Sequence, residues 1–218
     1  MRQRSHAPSP RTRVKRVHER AAYDRATIDA ILDATPIAHV GYIFDGAPFV
    51  TPTLHWREGD HVYWHGSAAS RMIKAAHGVD VCLTVTLLDG LVLARSAFHH
   101  SANYRSVMLF GCATLITNPK DKEDSLKAFM DKLVPGRWDS LRPVYEKELK
   151  ATSVLSLPIS EVSAKVRTGP PKDDEADYAL DIWAGTLPLQ IVAQKPIDDP
   201  RLKPGVRAPE ALHNFRFE

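Results

Sequence analysis

The spacing of apolar residues changes character early in the chain. Ile28, Ile31 and Leu32 share one face of a helical stretch over residues 24–34, with Asp24 as its cap and Pro36 as its stop. From Ile37 the period drops to two. Residues 37–44 and 49–56 flank the turn sequence Asp45-Gly46-Ala47-Pro48 and predict a hairpin. A second turn, Arg57-Glu58-Gly59-Asp60, leads to a third strand over 61–65. A loop of small residues, 66–70, then feeds a helix over 71–77 that Gly78 closes. Residues 79–88 and 91–98 are apolar on either side of Asp89-Gly90, which predicts another hairpin. A polar loop over 99–103 precedes a long strand over 105–117. Asn118-Pro119 opens a helix in which Leu126, Phe129, Met130 and Leu133 recur at helical spacing. A short helix over 143–150, a strand over 153–166 broken near Pro158, and extended segments over 178–183 and 187–193 complete the pattern. Hairpins in series with helices between them are not a doubly wound alternation. They predict a mainly β (α+β) chain: a small antiparallel barrel with peripheral helices.

Composition and charge refine this. The 218 residues contain no apolar run near the ~20 that a membrane helix needs, so no membrane partner is expected. Cys82 and Cys112 lie in apolar runs and are expected as interior free thiols. The net charge of +3 conceals an asymmetry. Seven basic side chains and one acidic one, Glu19, occupy residues 1–20, so the rest of the chain is net negative. Pro8, Pro10 and the lack of an apolar cluster there predict a disordered basic arm over 1–20, a folded domain over 21–195 and a Pro-rich tail over 196–218. No hydrophobic signal core follows the arm and no base-reading motif accompanies it. A cytoplasmic protein with no nucleic-acid partner is the expectation.

The chain lacks a dinucleotide-binding G-x-G-x-x-G, a Walker loop, a G-x-S-x-G elbow, an H-E-x-x-H pair and a C-x-x-C pair. His61 and His65 share a strand face but stand too far apart to share an ion, so no metal site is expected. Four stretches carry chemistry instead. Trp64 and His65 lead into Ser67, Ser70 and Arg71, where two hydroxyls and a guanidinium at the start of a helix outline a phosphate site. Val50, Thr51, Pro52, Thr53 and Leu54 form a strand in which Pro52 marks an edge with free backbone groups. His55 shares a face with Thr51 and Thr53 and is the candidate polar group for a substrate. Tyr104, Arg105 and Ser106 open a buried strand, and Trp183 precedes a Gly-containing turn that could present its indole to a planar ring.

In this order, the stretches resemble the pyridoxamine 5′-phosphate oxidase-like flavoproteins, on the side of that family that includes the nitroimidazole-resistance-type proteins. The resemblance runs from about Arg20 to Lys195 and rests on Pro52 within 50–55, His65-Gly66-Ser67 with Ser70-Arg71, and 103–107 leading to Gly111. It implies an FMN-binding split β-barrel, a homodimer with the flavin between subunits, and an oxidoreductase acting on a small, planar or nitroaromatic substrate. By the same resemblance, residues 50–54 would follow the isoalloxazine and ribityl chain, and Trp64 and His65 would close one side. Ser67, Ser70 and Arg71 would hold the phosphate, Tyr104, Arg105 and Ser106 would approach the flavin from either subunit, and Trp183 would cover its edge. Met72 stands where the oxidases carry a second basic residue, and Thr186-Leu187-Pro188-Leu189 offers no charge for a second phosphate. Oxidation of pyridoxamine phosphate is therefore not expected. The alternatives are a flavin-binding protein without a substrate of its own, and the same barrel binding haem or a deazaflavin. For haem, the His99-His100 pair is the feature to test.

Overall fold

A computed structural model of the protein describes residues 6–213 and 215. The strands, in chain order, are β1 (Ala21–Ala22), β2 (Ile37–Phe44), β3 (Ala47–Glu58), β4 (His61–Ser67), β5 (Asp80–Leu93), β6 (Ser101–Cys112), β7 (Thr114–Leu115), β8 (Thr152–Pro158), β9 (Glu161–Arg167) and β10 (Gly185–Pro188). Between them lie α1 (Arg25–Asp33), α2 (Arg71–Ala76), α3 (Pro119–Leu133) and α4 (Glu146–Ala151). The strands pair antiparallel in the order β1-β9-β6-β5-β2-β3-β4-β8-β7. β10 lies on β5, beyond the point where β2 leaves that edge. The expected antiparallel split barrel with peripheral helices is the observed fold. Among the described residues no helix is long and apolar enough to cross a membrane.

The core follows from the alternation. Val40 on β2, Leu83 and Val85 on β5, Leu109 on β6, and Leu155 and Leu157 on β8 are fully buried. Trp64 joins them from β4. α1 forms where the pattern placed it: the Thr27 amide donates to Asp24 Oδ1 at 2.9 Å, which caps the first turn. Its Ile28, Ile31 and Leu32 enter the core, each contributing about 1.5–3 kcal/mol relative to exposure. Ion pairs fix the outer side of α1. Asp33 accepts from Arg57 on β3 at 2.5 Å and pairs with Lys132 on α3 at 3.0 Å. Burial alone would raise the Asp33 carboxyl, but these two cations hold it below its ordinary range.

Several expectations are corrected. Asp89-Gly90 is not a hairpin turn. β5 runs through it as one strand with a bulge, paired with β6 from Asp80 opposite Cys112 to Val92 opposite Ser101. A Cβ on Gly90 would stand 2.8 Å from the Leu187 carbonyl oxygen, so the glycine admits β10 rather than a turn. β6 accordingly begins at Ser101, inside the expected loop. Cys112 is exposed and Cys82 only half-buried, because both lie on the outer face of the sheet while Val81 and Leu83 point inward. Burial still pushes the Cys82 thiol up.

Residues 6–20 are not a solvated arm. The Arg11 guanidinium reaches Asp80 and Glu161 and stands 5.0 Å over the Phe110 ring. Thr12 is buried, and the Val14 amide donates to the Tyr23 hydroxyl at 3.0 Å. The anchoring carboxylates lie 69 and 150 residues along the chain from Arg11, beyond any local reading. The described residues of the C-terminal segment are irregular apart from a short turn at Glu210–Leu212. Residues 1–5, 214 and 216–218 lie outside the described residues.

Candidate functional site

β3 changes partner part-way along its length. Residues 47–54 pair with β2, Ile37 opposite Leu54 through Phe44 opposite Ala47, whereas 55–58 pair with β4. The last β3–β4 pair is His55 opposite Trp64. Beyond it the two strands part: β3 continues on β2, and β4 continues on β8 through Ser67 opposite Thr152. Two strand edges, 50–54 and 65–67, thus face an opening that no strand of the described residues fills. Pro52, which has no N–H, falls on this open edge as expected.

The loop after β4 borders the opening. The Ser70 amide donates to the Ser67 carbonyl at 2.8 Å, and the Ala68 amide donates to the Ala151 carbonyl at 2.8 Å. The Ser67 side chain accepts from the Ala69 amide at 3.2 Å, while the Ser70 side chain makes no capping bond. Gly66 is needed for close approach, since a Cβ there would meet Ile73 Cγ1 at 3.1 Å. Arg71 extends over two aromatic rings, 4.3 Å from the Phe49 centroid and 5.5 Å from that of Phe44. Phe49 stacks on Tyr42, whose hydroxyl lies 3.1 Å from Thr51 Oγ1. Val50–Leu54, His65, Ser67, Ser70 and Arg71 are therefore gathered at one opening, with Phe44, Phe49 and Tyr42 as supports that sequence reasoning missed. Their signal was an aromatic cluster at one end of the first hairpin.

His65 stands at the mouth of this opening. Its ring lies 4.8 Å from Phe129 and 6.0 Å from Trp56, between centroids. Burial pushes its pKa down, so the imidazole is neutral at pH 7. Its Nδ1 is buried and has no hydrogen-bond partner among the described residues.

Other expected members lie elsewhere. Trp64 is wholly buried in the core and closes no side of the opening, because it alternates inward where His65 alternates outward. His55 is buried rather than open to a substrate. Where β3 changes sheets it turns beneath α1, is 2% exposed, and hydrogen-bonds through Nε2 to the Leu32 carbonyl at 3.0 Å. It borders a separate cavity of about 550 Å³ with Leu32, Pro36 and Phe129. Tyr104, Arg105 and Ser106 lie on β6, three strands from the open edge of β3 in the sheet order. Arg105 is held by Asp89, with Nη2 at 2.8 Å and Nε at 3.0 Å, and Ser106 Oγ donates to the Lys165 carbonyl at 3.3 Å. Trp183 is 69% exposed and folds over Gly185 at the start of β10. One chain thus gathers Val50–Leu54, His65, Ser67, Ser70 and Arg71 at the opening and leaves Trp64 in the core, His55 beneath α1, and Tyr104, Arg105, Ser106 and Trp183 on or beside distant strands. His99 and His100 belong to a surface loop, where His99 Nε2 is 3.5 Å from Asp174 and His100 Nδ1 is 2.8 Å from the Ser96 carbonyl.

A family profile described as pyridoxamine 5′-phosphate oxidase matches residues 24–166. A search of curated protein sequences finds no match. Among solved structures, the chain is similar to the flavocytochrome Anf3 from Azotobacter vinelandii, with 57% identity over 97% of this chain and 99% of that one and a TM-score of 0.94. It is similar to the FAD and heme binding protein from Mycobacterium smegmatis, with 35% identity over 91% of this chain and 98% of that one and a TM-score of 0.87. It shares its fold with a structure described as a 5-nitroimidazole antibiotic resistance protein from Bacteroides thetaiotaomicron, at 22% identity over 67% of this chain and 86% of that one and a TM-score of 0.57.

Proposed function

The chain belongs to the pyridoxamine 5′-phosphate oxidase family, and from that premise we propose that it is a flavin-binding redox protein that also takes haem. The observation that carries the flavin reading is the parted pair of strand edges with Ser67, Ser70 and Arg71 at its end. A flavin mononucleotide unit, the part common to FMN and FAD, needs backbone donors and acceptors along a planar ring and a cradle for a phosphate. The open edge of β3 offers the first. Arg71 offers the second: its guanidinium is fixed by Phe49 and Phe44 and forms no ion pair among the described residues, which leaves its fork for phosphate oxygens. When bound, the flavin supplies hydride and single-electron transfer and the haem supplies single-electron chemistry. The residues of this chain orient the groups and exclude water from them.

For haem, His65 is the fitting ligand. It is a neutral imidazole in an aromatic wall, so one of its ring nitrogens keeps a lone pair for iron at pH 7. The His99-His100 pair is tied into a surface loop by Asp174 and Ser96 and does not fit. The two relatives described as a flavocytochrome and as an FAD and heme binding protein support haem beside flavin, rather than in its place.

The functional unit is a homodimer. Ile43, Val50, Leu88 and Met108 present exposed apolar side chains on the outer face of the sheet. A second copy on this face would bring Tyr104, Arg105, Ser106 and Trp183 toward the opening of its neighbour, which they cannot reach within one chain. Electrons would pass to a small acceptor, and a nitroaromatic compound is the first to test.

The test is a visible absorption spectrum of the purified protein, with the mass of whatever acid releases. Flavin bands with a Soret band are expected, and His65→Ala should lose the Soret band while keeping the flavin. A colourless protein that takes up neither added FMN nor added FAD would overturn the reading.

A further inference from the structure

The N-terminal segment builds a second site, away from the opening between β3 and β4. It folds around a cavity of about 870 Å³ lined by His6, Arg13, Lys15, His18 and Tyr23. None of the described lining residues is acidic. The ion pairs of this segment are those of Arg11, so among the described residues Arg13 and Lys15 keep their charges uncompensated. The segment is nonetheless held in place. Arg11 is clamped by Asp80 and Glu161, Thr12 is buried, Tyr23 accepts from the Val14 amide, and Ala21 and Ala22 pair with β9.

A second observation lies on β9 itself. Arg167 is 8% exposed, yet its partners are the Asn103 side chain and the Gly169 and Pro170 carbonyls, none of them a carboxylate. Burial and the nearby Arg20 both act against its charge. Among the described residues, then, Arg13 and Lys15 at the cavity and Arg167 on the adjoining strand pair with no carboxylate, an arrangement that favours an anion.

Shape narrows the anion. The cavity is concave and of small-molecule size, unlike the extended stripe that a nucleic-acid duplex needs. Two permanent cations suit more than one phosphate group, and a tyrosine ring with two imidazoles suits a base. We infer that this cavity binds a nucleoside diphosphate group. Two sources share that chemistry: the adenosine half of a dinucleotide flavin, and a nicotinamide dinucleotide electron donor. β9 alone separates the cavity's strand from the Tyr104–Ser106 stretch, since Lys165 pairs with Ala21 on one side and Ser106 on the other. The assignment stands on charge and shape and does not depend on flavin binding in the opening between β3 and β4.

Titration calorimetry of ADP into the full-length protein, before and after removal of any resident flavin, tests it. ADP should bind, and the double substitution Arg13→Ala, Lys15→Ala should weaken it about ten-fold or more. Arg16→Ala, on the same segment but outside the lining, should change it less than about two-fold. Binding that appears only once flavin is removed assigns the site to the flavin's second half. Binding to the loaded protein, displaced by NADPH, assigns it to the electron donor. Lack of ADP binding in both preparations, equal affinity in the double variant, or a preference for an oligonucleotide over ADP would overturn the assignment, whatever the flavin result.

Discussion

At the scale of single residues, Arg71 and His55 show how far a residue's type predicts its role. Arg71 was legible as a phosphate ligand from its place after a small-residue loop, and the structure adds the rings that orient it. Losing one charge-assisted hydrogen bond costs about 1.5–3 kcal/mol, so Arg71→Ala should weaken flavin binding roughly ten- to a hundred-fold. Fluorescence titration of the apoprotein would show it, and an unchanged affinity would remove Arg71 from the site. His55 was read from strand alternation as a substrate group, and the structure instead buries it against the Leu32 carbonyl of α1. Burial, offset in part by the Leu32 carbonyl, lowers its pKa. The folded protein keeps it neutral where the unfolded chain, titrating near about 6.5, takes up a proton. Its contribution is thus complete above that pH and is lost as the pH falls toward its lowered folded value. The thermal midpoint should fall between about pH 7 and pH 5, and His55→Gln should make the decline shallower. Part of the slope should survive in that variant, because His65 is shifted the same way. Parallel curves for the two proteins would exclude His55 as a contributor.

At the scale of elements, helices were easier to place than strand partners. α1 and α3 came from spacing and caps, and both caps are observed: Asp24 accepts from the Thr27 amide, and Asn118 accepts from the amides of Lys120 and Asp121. Asp89-Gly90 misled, because the same dipeptide serves a hairpin turn and a bulge, and the choice is made by β6 and β10. Gly90→Ala tests this. A methyl group there meets the Leu187 carbonyl and the Pro188 backbone, so β10 must shift or detach. The expected cost is about 1–3 kcal/mol, with faster hydrogen exchange over 185–188 and little change in the remainder of β5. Unaltered exchange in β10 would mean that the sheet absorbs the methyl group without releasing the strand.

At the scale of the whole molecule, the proposed homodimer would account both for the expected site residues left away from the opening and for the apolar outer face. Val50 is 68% exposed beside the opening. In a symmetric interface a carboxylate placed there is buried without a partner in both subunits. If the proposed dimer forms through this face, the parent protein should sediment as a dimer and Val50→Glu as a monomer, with flavin affinity reduced alongside. A dimer that survives the substitution would move the interface to another face.

The sequence by itself determined the periods, the caps, the turn residues and the order of the chemical stretches. That was enough for a mainly β barrel with helices at its edge, while the grouping of Val50–Leu54 with Ser67, Ser70 and Arg71 came from the family resemblance. These features are local: a period of two, a proline without an N–H or a carboxylate three residues before an amide acts over a few residues. Only the tertiary structure decided which strands part, which face of β3 turns under α1, and that Trp64 is core while its neighbour His65 is not. It also placed the basic N-terminal segment on the sheet, through Asp80 and Glu161. Those outcomes depend on pairings and charges that are distant in sequence. Their energies arise only once the sheet has formed, so the linear pattern holds no trace of them.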